Sequence, residues 1–200
     1  EKKWRGDLYV NDKSGNEIGS SVVGLIGLGA IGKRVAQIVR GFGARVLVYD
    51  PYIKQEDILA EGLEPSDLDT LLKVSDFVSL HARLTNDSRG LLGAREMSLM
   101  KSSAILVNTA RAELVDEAAL VKALREKTIA GAGLDVFVDE PLKDDSPFYG
   151  LENVTIASHL GGASKQAAEI GAKVAVTALY QYITGNGIPK FCVNPEVLAK

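Results

Sequence analysis

A doubly wound parallel α/β sheet is the fold class this sequence predicts, and three observations predict it. Short apolar runs of strand length, Val22-Val23-Gly24-Leu25-Ile26 and Val46-Leu47-Val48-Tyr49 first among them, alternate along the chain with amphipathic stretches of helical period. The runs are apolar almost without interruption, as strands covered on both faces must be. Between the first two lies Gly27-Leu28-Gly29-Ala30-Ile31-Gly32, a Gly-x-Gly-x-x-Gly turn where a strand hands over to a helix.

Residues 1–21 carry Trp4, Arg5, Tyr9 and scattered glycines without periodicity. They read as an approach arm with a short hairpin, Trp4 packing on the domain or on a partner subunit. The helix after the glycine turn runs from Lys33 to Phe42 on Val35, Ala36, Ile38, Val39 and Phe42. Gln55 to Glu61 is a short helix, and Ser66 to Lys73 is another, with Ser66 and Asp69 spaced as a capping box. Phe77–Leu80 is a strand running into His81, Ala94 to Met100 a short helix, and Ala104–Asn108 the next strand. Asp116 to Glu126 is a helix, Ala130 to Val136 a glycine-interrupted strand, and Val154 to Ala157 the last strand. Ala163 to Thr184 is a long, alanine-rich closing helix. No repeat, linker or low-complexity segment divides residues 22–184, which read as one domain, with 185–200 a C-terminal tail.

The glycine turn has a chemical reading. Gly27 makes the tight turn, Gly29 lets the backbone approach a pyrophosphate, and Gly32 allows close helix packing. The first helical residues, Ala30 and Ile31, offer unpaired N–H groups at a positive dipole end. Asp50 ends the second strand roughly 20 residues on, where an acid accepts both hydroxyls of an adenosine ribose. Its charge repels a 2′-phosphate, and Pro51-Tyr52 rather than an arginine follows it, so NAD is expected over NADP.

Composition bounds the partners. The 200-residue chain is 46% hydrophobic and 24% charged with a net charge of −3, an ordinary globular balance with no general attraction for nucleic acid or anionic membranes. No apolar run reaches the ~20 residues of a membrane span. The single cysteine, Cys192, excludes an internal disulfide and fits a reducing, cytoplasmic setting.

In doubly wound sheets ligands bind beyond the carboxyl ends of the strands, so residues there are candidates for chemistry. Asn108-Thr109-Ala110-Arg111 places an arginine just past a buried strand, suited to bidentate capture of a carboxylate; a surface arginine paired with Glu113 or Asp116 is the alternative. Asp135 ends another strand and Glu140 sits in the turn before Pro141, although such an acidic run also suits a solvated loop. His159, one of two histidines, ends the last strand before Gly161-Gly162, either as a proton carrier near neutral pH or as a core or capping residue. His81 also ends a strand and reads as structural or cofactor-adjacent. Together these residues compose a hydride-transfer site. Arg111 would hold a 2-oxo acid, His159 would exchange a proton with its oxygen, and Glu140 would orient the ring and favour its protonated form. No metal is required.

The motifs quoted, with Tyr49-Asp50-Pro51, Leu114-Val115-Asp116-Glu117 and His159-Leu160-Gly161-Gly162, resemble the NAD-binding (Rossmann) domain of the D-isomer-specific 2-hydroxyacid dehydrogenases, most closely the phosphoglycerate-dehydrogenase-like branch. The resemblance runs from Val22 to Thr184. It implies hydride transfer between NAD(H) and a small 2-hydroxy or 2-oxo acid, 3-phosphoglycerate-like or hydroxypyruvate/glyoxylate-like. It implies catalytic roles for Arg111, Glu140 and His159, and contact of Asp135 with the nicotinamide carboxamide. It also implies that Thr109 and Ala110 border the same ring, and that the protein is a homodimer through this domain. Corepressors of the same family, which sense NAD(H) without needing turnover, are the alternative class; an unrelated protein of this fold with accidental strand-end residues is a third. Three positions depart from the family's usual pattern: Ala112 for a glycine, Ser158 for a proline, and Arg83 for the proline of the usual His-x-Pro-Leu-Thr stretch. The family's second, substrate-facing domain is largely absent, and residues 185–200 read as the return segment toward it. The 200-residue chain alone is therefore expected to bind NAD and to turn over substrate poorly.

Overall fold

The apolar runs expected as strands all join one parallel sheet. The computed structural model describes residues 15–185, 187, 189 and 192–197. The chain divides into two compact units, 1–158 and 159–200. The sheet lies in the first: β1 (Val22–Ile26), β2 (Arg45–Tyr49), β3 (Glu64–Pro65), β4 (Phe77–Leu80), β5 (Ile105–Asn108), β6 (Gly131–Leu134) and β7 (Val154–Ile156). Its order is β3-β2-β1-β4-β5-β6-β7, with every neighbouring pair parallel. The chain starts in the middle at β1, winds out to β3, and returns to place β4 on the other side of β1. That reversal opens a crevice between the carboxyl ends of β1 and β4.

Helices cross between the strands: α1 (Ala30–Gly41), α2 (Gln55–Ala60), α3 (Leu68–Val74), α4 (Ala94–Leu99) and α5 (Glu117–Arg125). Side chains alternate across the pleat, so each strand feeds two cores. Val23 and Leu25 of β1 with Val46 and Val48 of β2 face Ala36 of α1 and Ile58 of α2. Ile26, Leu47, Val78, Leu80 and Leu106 turn the other way, into a larger cluster with Leu71, Leu72, Met97, Leu120 and Leu124. Coverage of both faces explains why the strands read as uninterrupted apolar runs.

Three details differ from the sequence expectation. The cap of α3 is Asp67, which accepts the Thr70 N–H at 2.8 Å, and not Ser66. Asp69, the expected box partner, is instead taken by the Arg95 guanidinium of α4. β3 was not expected, because Glu64-Pro65 has no apolar pattern. It holds the sheet edge, where a proline lacking N–H is tolerated, and Arg45 grips Glu64 beside it. The described part of the N-terminal arm holds a 3₁₀ turn at Ile18–Ser20; the expected hairpin and Trp4 lie outside the described residues.

In the second unit Ser164 accepts the Ala167 N–H at 3.0 Å and starts α6 (Lys165–Ile183). Among the described residues no helix is long and apolar enough to cross a membrane.

At the foot of the sheet Asp76 ties three segments together. Its carboxylate accepts the Val22 N–H at 2.8 Å and the Lys101 ammonium at 2.8 Å, while its own N–H donates to Val22 O. Burial opposes ionisation there, but the Lys101 and Val22 donors outweigh it and hold the carboxyl below the usual Asp range. A depressed pKa contributes stability above the ordinary value, about pH 4, and the contribution is lost as pH falls through the lowered one. Asp76→Ala is therefore expected to cost about 1–3 kcal/mol at pH 7. In urea titrations at descending pH, the gap between variant and parent should close in acid.

Candidate functional site

The glycine turn occupies the crevice between β1 and β4. Gly27 has φ +96°, and a side chain there would stand 2.6 Å from Ala82 N and 2.8 Å from the His81 carbonyl carbon, so the turn nests against the chain leaving β4. A Cβ on Gly32 would collide with the Gly27 carbonyl oxygen, which is why α1 can begin so close to the strand end. Gly29, the N-cap of α1, is different: a Cβ there would meet nothing within 4 Å. Space is open where a ligand would approach. The first turn of α1 carries no acidic residue, leaving the N–H groups around Ala30 and Ile31 to an anion.

Asp50 stands beside this turn at the end of β2. One carboxylate oxygen accepts the Leu28 N–H at 2.8 Å, and the other accepts the Tyr52 N–H at 2.9 Å. Each oxygen retains acceptor capacity for a ribose hydroxyl. The expected cofactor-binding residues of this half, Gly27, Gly29, Ala30, Ile31, Gly32 and Asp50, are thus assembled at one turn. Open backbone, helix N-terminus and flanking carboxylate fit a dinucleotide.

A cleft of about 490 Å³ continues from there, lined by Ile31 of α1, His81–Leu84 after β4 and Thr109–Arg111 after β5. Asn108, only 2% exposed, lies beneath the loop that carries Thr109–Arg111. Its side-chain oxygen accepts the Ala110 N–H at 3.0 Å, and its amide donates to the Arg111 carbonyl at 2.9 Å. The loop is pinned at both ends, and Arg111 is presented at its exposed tip. The alternative of a structural surface pair does not hold. Glu113 faces Arg89 at 3.9 Å, Asp116 caps α5 through the Ala119 N–H, and the Arg111 guanidinium donates to the Ala110 carbonyl at 2.6 Å.

The remaining strand ends differ in character. His81 is half-buried, and its Nε2 lies 3.0 Å from the Ser79 hydroxyl; burial pushes its pKa below the usual imidazole value, leaving a neutral wall to the cleft. Asp135 is buried at the end of β6, and its N–H donates to Asn108 O at 3.0 Å. Glu140 is exposed but held, accepting the Phe137 N–H at 3.0 Å, while its neighbour Asp139 pairs with Lys143 at 2.6 Å. The acidic run past Asp135 is a solvent-exposed turn held by these two contacts. His159 opens the second unit, exposed and with φ +57°, a left-handed conformation that costs a non-glycine residue about 1–2 kcal/mol. Such cost is tolerated where the surrounding chain dictates the backbone, commonly at functional positions.

Asn108 is the site residue that sequence reasoning undervalued. Its signal was a polar residue closing an apolar run, which alternation leaves buried. Among the described residues no cluster of His, Cys, Asp and Glu has the makings of a metal site.

The model of the family described as "D-isomer specific 2-hydroxyacid dehydrogenase, NAD binding domain" matches residues 1–161. A glyoxylate reductase of Korarchaeum cryptofilum is 42% identical over 199 residues, covering 99% of this chain and 59% of the relative. One of Thermococcus litoralis is 43% identical over 176 residues, covering 88% of this chain and 53% of the relative. The crystal structure of an NAD-complexed D-isomer-specific 2-hydroxyacid dehydrogenase from Lactobacillus delbrueckii ssp. bulgaricus is 35% identical. It superposes with a TM-score of 0.83 over 94% of this chain and 60% of that one. D-lactate dehydrogenase with NAD+ from Lactobacillus jensenii gives 0.84 at 33% identity, covering 94% of this chain and 59% of that one. The chain thus spans between half and three-fifths of the length of these relatives.

Removal of the Asn108 side chain takes away the partner of a half-buried Ala110 N–H and of the Arg111 carbonyl. Asn108→Ala is expected to cost about 1–3 kcal/mol in chemical denaturation and to speed amide hydrogen exchange at Ala110, without changing far-UV circular dichroism.

Proposed function

The chain belongs to the D-isomer-specific 2-hydroxyacid dehydrogenases as their NAD-binding domain, and from that membership we propose that the complete protein reduces a small 2-oxo acid, glyoxylate foremost, with NADH. The observation that carries this reading is the placement of Arg111. A guanidinium free of carboxylate partners among the described residues stands at the lip of the cleft that begins at the α1 N-terminus. Glyoxylate is preferred over 3-phosphoglycerate-like substrates because the curated relatives named above are glyoxylate reductases.

The Gly27–Gly32 turn would hold the pyrophosphate, Asp50 the adenosine ribose, and Thr109, Ala110 and Asp135 the nicotinamide end. Bound NADH supplies the hydride. Arg111 clamps the substrate carboxylate with two parallel N–H donors, which fixes the carbonyl carbon and polarises its oxygen. His159 carries the proton that the carbonyl oxygen takes up as reduction proceeds, and receives it back in the oxidative direction. Glu140 is the residue this reading assigns to orienting that imidazole. The left-handed backbone of His159 supports a functional reading of that segment.

The test assays the complete protein with NADH against glyoxylate, hydroxypyruvate, pyruvate and phosphohydroxypyruvate. Turnover is expected to be best with glyoxylate, and loss of turnover with every one of them overturns the reading. Arg111→Lys, which keeps the charge and loses the fork, should lower kcat/KM by roughly ten- to a hundredfold, mostly through KM. Glu140→Gln should lower kcat and alter the pH–rate profile; an unmoved profile would remove Glu140 from the mechanism.

A further inference from the structure

The cleft between β4 and β5 holds a second cation. Two of its lining residues are arginines, Arg83 and Arg111, and among the described residues that line it none is acidic. Because His81 is kept neutral by burial, the two guanidinium groups supply its formal charge near pH 7. Such a cleft selects anions, and one arginine suffices for the single carboxylate assigned to Arg111.

Arg83 is built for an external partner. Arg40, Arg45, Arg89 and Arg95 each have an acceptor within the fold: Glu61 O, Glu64, Glu113, and Asp69 with Glu96. The Arg83 guanidinium has neither a hydrogen bond nor an ion pair with any described residue, although it is exposed. Its backbone is fixed all the same. The Ser88 hydroxyl donates to the Arg83 carbonyl at 2.8 Å and itself accepts the Thr85 N–H at 2.8 Å, which closes the loop beneath it. Across the cleft stands Ile31, in the first turn of α1, where the helix offers N–H groups and no acid. An anion seated on that helix end shares the cleft with Arg83.

We propose that Arg83 is a second anion-holding residue of this cleft and that its ligand is the pyrophosphate of the dinucleotide. The inference rests on the NAD reading above. A pyrophosphate carries two negative charges, and the helix terminus offers only about half a positive charge; a mobile guanidinium on a fixed root supplies the remainder.

The experiment is isothermal titration calorimetry of the complete protein and its Arg83→Ala variant with NADH, with ADP-ribose, and with adenosine by displacement. Arg83→Ala should bind NADH and ADP-ribose roughly five- to twentyfold more weakly, with adenosine unchanged, and the difference should shrink as salt screens the pair. Arg83→Lys should recover part of the loss. Arg83→Gln keeps much of the stem and serves if the alanine variant does not fold. Wild-type affinity for NADH and ADP-ribose in the variants overturns the proposal and leaves the NAD reading intact. An equal loss on adenosine assigns Arg83 to base stacking, and a raised KM for glyoxylate at saturating NADH assigns it to substrate; either overturns it. Failure of the parent protein to bind NADH overturns the NAD reading itself.

Discussion

The close approach of Gly27 to the chain leaving β4 is the constraint on which the site depends. Because a side chain there would run into the backbone of His81 and Ala82, only glycine lets the end of β1 nest against its neighbour. Its positive φ then turns the chain so that α1 starts within reach of the Gly27 carbonyl, and Gly32 accommodates that contact. The turn is braced from the other side by Asp50, whose carboxylate takes the Leu28 N–H. One acid thereby braces the glycine turn through Leu28 and the chain beyond β2 through Tyr52.

Charge is arranged along the crevice in a consistent sense. Asp50 stands beside the glycine turn, the amide-rich start of α1 follows it, and the cleft beyond is lined by Arg111 and Arg83. Elsewhere among the described residues of the first unit, Arg45, Arg89 and Arg95 are paired with acids within the fold, Arg45 with Glu64, Arg89 with Glu113 and Arg95 with Asp69 and Glu96. Paired guanidiniums are a structural expense of side-chain order with modest return on an exposed surface. The two in the cleft have no ion pair with a described acid, and Arg111 spends one donor on the Ala110 carbonyl.

Much of this architecture was legible in the residues. β1, β2, β4 and β5 appeared as apolar runs because they are largely buried, β6 and β7 as shorter or glycine-interrupted ones, and all six end within a few residues of the expected bounds. β3 was not legible: a two-residue strand of Glu64 and Pro65 has no periodicity to read, and exists because β2 offers a free edge. The cap of α3 was misplaced by one residue, since Ser66 and Asp67 are both capping types; Asp67 caps, and Asp69 pairs with Arg95. At the site, the glycines, Asp50 and Arg111 were legible from spacing, whereas the bracing role of Asn108 required the loop's hydrogen bonds.

Local chemistry along the chain, then, determined the strand–turn–helix alternation, the dinucleotide turn and the candidates at the strand ends. These follow from properties each residue carries alone: side-chain volume, φ freedom, charge and period. Tertiary structure decided which candidates keep their donors and acceptors for a ligand. Glu113 was taken by Arg89, Asp116 by a helix end and Asp69 by Arg95, while Arg111 and Arg83 were left facing the cleft. Partnerships of that kind join residues distant in sequence, and they depend on distances that exist only once the sheet has ordered its strands.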